Sequence, residues 1–485
     1  MNKEGYIPRE QRKKILLLCD DIRMTSGVST MAREIVIGTA HHYNWVNLGG
    51  AINHPDQGKR FDLNEDTNKN AGITDSSVLL YPINGYGDPM VLKQIIDIEK
   101  PDAIMFFTDP RYWIWLFQME AEIRKTMPMI YLNIWDDLPY PMYNKSFYES
   151  CDTLLAISKQ TENINRVVLG DVADNKIIKY VPHGINEDIF FPITSEHPEY
   201  LTLQEFKKQL YKNKTYDFVL LYNARNIRRK SVPDLMLAWK LFLDSLSEKD
   251  RAKCAFVLHT QVLDENGTDL QAVKEMLFGK DDGNLIFDQN RNPANIMNLL
   301  YNAVDVTALI SSNEGWGLSL TESMMCGKPI IATVTGGMQD QMRFEDENGD
   351  WIKFTEEFGS NHFGKYRKHG EWAYPVFPSN HSIVGSIPTP YIFDDRAEPN
   401  DIATQIKKAW TEKQMSEELF KEKGKAACKW VTSNESMMSA NNMCKNVIEG
   451  IDETFEKWEP RYTYELIQVE TPNQPKHFVK HVIAK

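Results

Sequence analysis

Short apolar runs, rich in aliphatic and β-branched residues, recur along this chain. Longer stretches, in which apolar residues return every three or four positions, separate most of them. Residues 14–19, Trp45-Val46-Asn47-Leu48, Val78-Leu79-Leu80-Tyr81, Ala103-Ile104-Met105-Phe106-Phe107, Met129-Ile130-Tyr131-Leu132 and Thr153-Leu154-Leu155-Ala156-Ile157 each predict a buried strand. Residues 90–99 and 113–124 have helical patterns. Alternating strands and helices predict a parallel, doubly wound sheet. The polar residues 53–76 predict a long loop over one edge.

A second series starts after a polar entry segment at 194–214. Phe218-Val219-Leu220-Leu221-Tyr222, Phe256-Val257-Leu258-His259, Leu285-Ile286-Phe287, Asp305-Val306-Thr307-Ala308-Leu309-Ile310 and Pro329-Ile330-Ile331-Ala332-Thr333-Val334 read as strands. A helix is predicted over about 233–246, and residues from 401 onward read as helices. A new series of strands implies a second core, and 485 residues are enough for two. The boundary is expected near residue 190.

Composition adds limits rather than identity. A hydrophobic content of 42% with 25% charged residues is ordinary for a soluble globular chain. The net charge, 55 − 68 = −13, gives no global attraction to nucleic acid or anionic membrane, although a local basic groove remains compatible with it. The six cysteines, at 19, 151, 254, 326, 428 and 444, lack paired metal-ligand spacing and predict reduced thiols in a cytoplasmic protein. No metal site is expected. The start of the chain is polar, and the apolar run at 15–19 is too short for a signal or membrane segment.

The densest chemistry lies in Ser311-Ser312-Asn313-Glu314-Gly315-Trp316-Gly317-Leu318-Ser319-Leu320-Thr321-Glu322-Ser323-Met324-Met325-Cys326-Gly327-Lys328-Pro329. A strand precedes it, and Gly327 with Pro329 stops the short helix it contains. Glu314 therefore falls in a glycine-flanked loop at a strand's carboxyl end, and Glu322 on the following helix. Unpaired amides at the helix N-terminus favour phosphate, and carboxylates accept hydrogen bonds from sugar hydroxyls. Either glutamate alone would read as an ordinary surface residue. The whole string resembles the signature of retaining nucleotide-sugar glycosyltransferases of the GT-B fold (glycosyltransferase family 4-like, glycosyl transferases group 1), with two glutamates separated by seven residues.

That resemblance implies an α/β, GT-B architecture: two doubly wound, Rossmann-like domains facing across a cleft. Residues 1–190 would form the acceptor side and 191–440 the nucleotide-sugar side, with an insertion at about 343–388. Residues 441–485 would form a helical segment packing back on the first domain. Glu314 would contact the donor sugar and Glu322 the ribose, with Gly317 and Leu318 beside the donor at the helix start. Met24-Thr25-Ser26-Gly27-Val28-Ser29-Thr30 resembles the family's N-terminal glycine loop, which puts Gly27 near the donor phosphates. Pro182-His183-Gly184-Ile185-Asn186 resembles the segment that closes the first domain, and Thr335-Gly336-Gly337-Met338 resembles a G-G turn of the same family. Ala224-Arg225 and Lys230-Ser231 align with a basic segment whose family glycines are replaced here, which assigns Arg225 and Lys230 to the diphosphate. Arg228 and Arg229 read as a solvated basic turn. The loop beginning at Phe287 corresponds to the nucleobase contact.

On the acceptor side the candidates are Asp109, Asp136 and Asp137, at predicted strand ends. The family places a histidine near the last two, where Trp135 stands here. The nucleotide-sugar is a substrate, and the family generally works without a metal or other cofactor. The acceptor is open: a carbohydrate, a small molecule or DNA. Residues 343–388 interleave Phe363, Tyr366, His369 and Trp372 with Lys365, Arg367 and Lys368, which suits a lid, an acceptor platform or a decoration whose rings simply pack. Some viral GT-B enzymes glucosylate hydroxymethylated bases in DNA, so this platform admits such an acceptor. Two further readings stay open: a sugar phosphorylase, and a nucleotide-sugar-binding protein without transfer activity.

Overall fold

The computed structural model describes residues 5–386, 389–461, 464–469 and 476–481. Eight strands form the first sheet: β1 (Lys14–Asp20), β2 (Asn44–Gly50), β3 (Phe61–Asp62), β4 (Val78–Pro82), β5 (Ala103–Phe107), β6 (Met129–Asn133), β7 (Thr153–Ala156) and β8 (Ile177–Tyr180). Their order is β3-β4-β2-β1-β5-β6-β7-β8, and β3 alone runs antiparallel to its neighbour. The second sheet holds β9 (Phe218–Asn223), β10 (Cys254–His259), β11 (Leu285–Asp288), β12 (Val306–Leu309), β13 (Ile330–Thr333) and β14 (Ala373–Val376). It is parallel throughout, in the order β11-β10-β9-β12-β13-β14.

Burial explains why these runs are strands. Along β1, Ile15, Leu17 and Cys19 enter one apolar cluster while Leu16 and Leu18 enter another, the alternation a pleated strand imposes. Both faces are therefore covered, as a parallel sheet requires. Strand order reverses between β1 and β5 in the first sheet and between β9 and β12 in the second. Open α/β sheets bind ligands outside the carboxyl ends at such reversals.

The chain returns to the first sheet at its end. Backbone amides pair Ile185 with Met438 and Ala440, each at 3.0 Å. The helix Ala440–Lys457 then joins Thr454 to Thr153 of β7 at 2.6 Å, and Asp452 to Tyr43 at 2.6 Å. No helix among the described residues is long and apolar enough to cross a membrane.

Several local expectations need correction. The polar stretch 53–76 contains β3 and the helix Asn64–Ala71, whose buried Thr67 and Ala71 give too narrow an apolar face to stand out. The helix expected over 113–124 is divided into Pro110–Trp113, Ile114–Gln118 and Glu120–Ile123. The entry segment holds the helix Tyr200–Leu210. The terminal segment 441–485 is helical only to Lys457. It continues as an antiparallel hairpin of β17 (Tyr464–Val469) and β18 (Lys476–His481), as the β-prone Leu466, Ile467 and Val469 favour; residues 462–463, 470–475 and 482–485 lie outside the described residues.

The insertion contributes β14 and the strand β15 (Asn380–Ser386), whose hairpin partner β16 (Thr389–Arg396) follows just beyond it. That hairpin reaches the first sheet's loops: Phe393 N donates to Leu138 O at 2.5 Å and Tyr143 Oη to Tyr391 O at 2.7 Å.

Candidate active site

Glu314 follows β12 in a tight loop and is almost fully buried, with 7% of its surface exposed. Three donors hold its carboxylate: Arg229 Nη1 at 2.9 Å, Ser311 Oγ at 3.0 Å and the ammonium of Lys230. Arg229 also donates to Asn313 O at 2.7 Å, and its own carbonyl accepts from Ser312 N at 2.8 Å. Burial pushes the Glu314 carboxyl upward. Arg229 and then Lys230 outweigh that push and hold it at about 2, so it stays ionised. Burial lowers Lys230, and Glu314 partly restores it.

Arg229 stands where a solvated turn was expected. The turn Arg228–Lys230 ends at Ser231 with φ +51°, and both Arg229 and Lys230 face inward from it. Arg225 points elsewhere. Its side chain is 56% exposed and pairs with Asp264 at 2.6 Å, so it does not join Lys230 at Glu314. Three arginines within five residues offer no periodic cue to which one turns in.

The two carboxyl-end loops meet around this cluster. Gly336, at φ +50°, leaves no room for a side chain: a Cβ there would lie 2.1 Å from Glu314 O and 3.4 Å from Asp136 Oδ2. Asp136 and Asp137, which follow β6, are thus brought to the second sheet's loop. Asp136 Oδ2 and Asp137 Oδ1 are buried without hydrogen-bond partners among the described residues. Burial raises both carboxyls; Arg229 pulls Asp136 back and Glu314 pushes it up, while Asp136 pushes up Asp137. Asp109 is engaged differently. It caps the turn Pro110–Trp113 through Arg111 N at 2.9 Å and pairs with the Arg111 guanidinium, which in turn holds Thr389 of β16.

Glu322 lies on the helix Leu318–Met325 and accepts from Tyr301 Oη at 2.5 Å. Asn223 Nδ2 donates to that hydroxyl at 2.6 Å, and Asn223 Oδ1 lies 2.7 Å from His259 Nδ1. Burial raises the Glu322 carboxyl, and Tyr301 lowers it. Asn223 and His259 are partners in strand register, each ending its strand. The polar residue terminating each apolar run was the available sequence signal; Tyr301 gave none. Phe287 is the next partner along the edge, opposite Leu258, and Lys274 Nζ lies 6.0 Å from its ring centroid.

Gly27 begins the helix Gly27–Thr39, whose cap Ser26 Oγ accepts from Ser29 N at 3.0 Å. A Cβ on Gly27 would lie 3.4 Å from Leu318 Cδ1, so the first-sheet loop touches the start of the helix that carries Glu322. Gly317, at φ +87°, makes the turn into that helix. Farther along the seam, Lys159 N donates to Asp340 Oδ2 at 2.9 Å.

The inserted aromatics do not form an exposed platform. Trp372 is buried, donating to Gln341 O at 3.1 Å and stacking on Trp430 at 5.9 Å. Tyr366 and His369 are half-buried against the second core, and Phe363 alone of the four is exposed. Their apolar area stabilises the insertion rather than presenting a row of rings.

Residues 204–358 match the family described as "Glycosyl transferases group 1". A segment of 49 residues is 43% identical to D-inositol 3-phosphate glycosyltransferase of Thermomonospora curvata, covering 10% of this chain and 11% of that protein. The chain therefore aligns with only about a tenth of that relative's length. Solved structures resemble nearly the whole chain. HepE of Anabaena in complex with UDP-glucose is 15% identical, with a TM-score of 0.61 over 91% of this chain and 99% of that one. Sucrose-phosphate synthase of Thermosynechococcus elongatus is 14% identical, with a TM-score of 0.62 over 92% and 100%. The Escherichia coli trehalose-6-phosphate protein bound with UDP-2-fluoro glucose is 12% identical, with a TM-score of 0.60 over 90% and 98%. The chain carries a domain of the glycosyl transferases group 1 family, set in a GT-B fold.

Proposed function

We propose that this protein transfers a sugar from a nucleotide-sugar to an acceptor hydroxyl, retaining the anomeric configuration. The observation that carries the reading is the buried Glu314, clamped by Arg229 and Lys230, with Asp136 brought to the same loop. Residues 191–440 bind the donor in this account, residues 1–190 offer the acceptor, and the helix Ala440–Lys457 packs back on the first domain. The sugar lies against Glu314, the ribose against Glu322, and the base against the loop after Phe287.

Charge on the departing diphosphate grows as the glycosidic bond breaks. Arg229 and Lys230 are already fixed beside that position, so they stabilise the transition state with little reorganisation. We assign them the electrostatic role that a metal ion plays in other sugar transferases, and leave Arg225 outside it. Asp136, raised by burial, is suited to orient the incoming hydroxyl and take up its proton.

UDP-glucose is the first donor to test, since HepE is solved with it. The assay follows UDP release and product mass over a panel of carbohydrate, small-molecule and hydroxymethylated-DNA acceptors. Retained α-configuration and full activity in EDTA are expected. An inverted product, or turnover lost to chelation and restored by Mg²⁺, would refute the respective parts of the proposal.

A further inference from the structure

The opposite edge of the second sheet has its own concavity, of about 1210 Å³. It is enclosed by the helices Tyr200–Leu210 and Glu417–Val431, by the crossover at 192–195, and by the chain entering β9, β12 and β13. These are amino-terminal strand ends, whereas Glu314 and Glu322 lie beyond carboxyl ends. Six residues of β9 at about 3.3 Å each put roughly 20 Å between the two edges.

Its lining reverses the charge of the molecule. Eight lysines line it with two carboxylates, Asp305 and Glu417; Glu205 and Glu422, just outside the lining, pair with Lys208 at 3.4 Å and Lys425 at 2.6 Å, which leaves a local balance of +4 in a chain of net charge −13. Both lining carboxylates are already engaged. Asp305 pairs with Lys413 at 2.6 Å and accepts from Val219 N at 2.7 Å, while Glu417 pairs with Lys421 at 2.8 Å. Lys328 donates only to Asn302 O, at 3.3 Å, and Lys207 has no ion-pair partner among the described residues.

This is not a solvated convex face. Leu203 and Tyr211 are buried in its wall, and Tyr216 meets Tyr211 edge-on at 5.5 Å. Burial pushes Lys328 down to about 8, against Asp305 and with help from Lys207 and Lys413. Burial lowers Lys207 as well. Gathered ammoniums that lack enough carboxylates favour an anion that supplies several acceptor oxygens at once.

We propose that this cavity is a second ligand site, separate from the donor cleft, for a small metabolite bearing two or more phosphate groups. A single phosphate spans too few of the lysines to balance them. The volume slightly exceeds the usual range for small-molecule pockets and admits a body the size of a nucleotide or phosphorylated sugar. Tyr216, half-buried in the wall, offers such a body an apolar surface.

The test uses inorganic tripolyphosphate as probe, with the full chain. Calorimetric titration compares wild type, a Lys207→Gln/Lys328→Met/Lys429→Gln variant and Lys230→Met. The triple variant should bind at least about tenfold more weakly, since each charged hydrogen bond removed is worth at least that factor. Lys230→Met, which alters the Glu314 cluster and not this cavity, should still bind the probe here with wild-type affinity. Should the triple variant fail to fold, amine labelling of wild type near pH 8 gives the same answer. Tripolyphosphate should protect Lys207, Lys328 and Lys429 at least about fivefold, about 1 kcal/mol of local binding, and leave exposed Lys368 unaffected. Unchanged affinity in the triple variant, loss of all binding in Lys230→Met, or equal labelling with and without the probe would each overturn the proposal.

Discussion

The two edges of the second sheet gather cations in opposite ways. At the carboxyl ends Arg229 and Lys230 share one carboxylate, Glu314, at hydrogen-bond distance. At the amino ends eight lysines meet four carboxylates, each paired with one lysine, which leaves four lysines without a carboxylate. In the first arrangement, desolvation of the charges is offset inside the folded chain. The geometry is therefore set before any ligand arrives, which suits electrostatic stabilisation of a reacting group. In the second, like charges face one another, and the offset must come from water, salt or a bound anion. A preassembled clamp fits chemistry, and an unbalanced cavity fits ligand capture.

The largest effect should come from breaking the clamp. Lys230→Met or Arg229→Met leaves Glu314 buried with one cation, a change expected to cost about 3 kcal/mol of stability in urea unfolding. Turnover with UDP-glucose should fall by about a hundredfold or more. Lys328→Met at the opposite edge should cost little stability, because burial, with repulsion from Lys207 and Lys413, outweighs the attraction of Asp305. Equal destabilisation at the two edges would remove the distinction between them.

The pH dependence of stability should differ in sign and window. Glu314 is depressed from 4.5 to about 2, so its contribution is complete above pH 4.5 and is lost as pH falls toward 2. Glu314→Gln should lack that acid limb. Lys328 is depressed from 10.5 to about 8. Between those values the unfolded chain binds more protons, so stability gains from Lys328 as pH rises from 8 to 10.5. Lys159 and Lys176, also lowered to about 8, add limbs of the same sign. The contribution of Lys328 is therefore the difference between wild type and Lys328→Met across pH 7–10.5, measured by denaturant unfolding at each pH.

How much of this was legible in the sequence depends on whether the cause was local. Apolar runs such as Ile15-Leu16-Leu17-Leu18 specify buried strands, and the spacing of Glu314 and Glu322 puts them around one helix start. Arg229 faces Glu314 from the turn Arg228–Lys230, and spacing alone does not reveal which arginine turns in. Trp372 and Tyr366 read as a platform because their inward partners, Trp430 and the second core, lie elsewhere in the chain. The basic cavity draws on Lys207, Lys328, Lys413 and Lys429, too widely separated for any local pattern. The hydrogen-bond chain to Glu322 depends on the register between β9 and β10.

That chain supplies a smaller prediction. Tyr301→Phe removes one hydrogen bond from Glu322 while keeping the ring, so donor affinity should fall by about 1 kcal/mol, or roughly fivefold. Calorimetric titration with UDP-glucose reads this directly. Unchanged affinity would mean that Glu322 is oriented by its own helix alone.

Arg225 supplies the smallest expected effect. It lies four residues from Arg229 and on the same loop, yet its guanidinium is largely in water and bound to Asp264. An exposed ion pair of this kind contributes about 0–1 kcal/mol, because solvent screens it and both side chains lose freedom in forming it. Arg225→Ala should therefore leave unfolding nearly unchanged and alter turnover by no more than about threefold. The family resemblance implies the opposite: Arg225 would meet the diphosphate, and its removal would match Lys230→Met. Measuring kcat and KM separately for Arg225→Ala and Arg229→Met decides between them. A large fall in kcat for Arg225→Ala, with little change for Arg229→Met, would mean that donor binding swings Arg225 away from Asp264 into the cleft and that the clamp seen around Glu314 is not the catalytic arrangement.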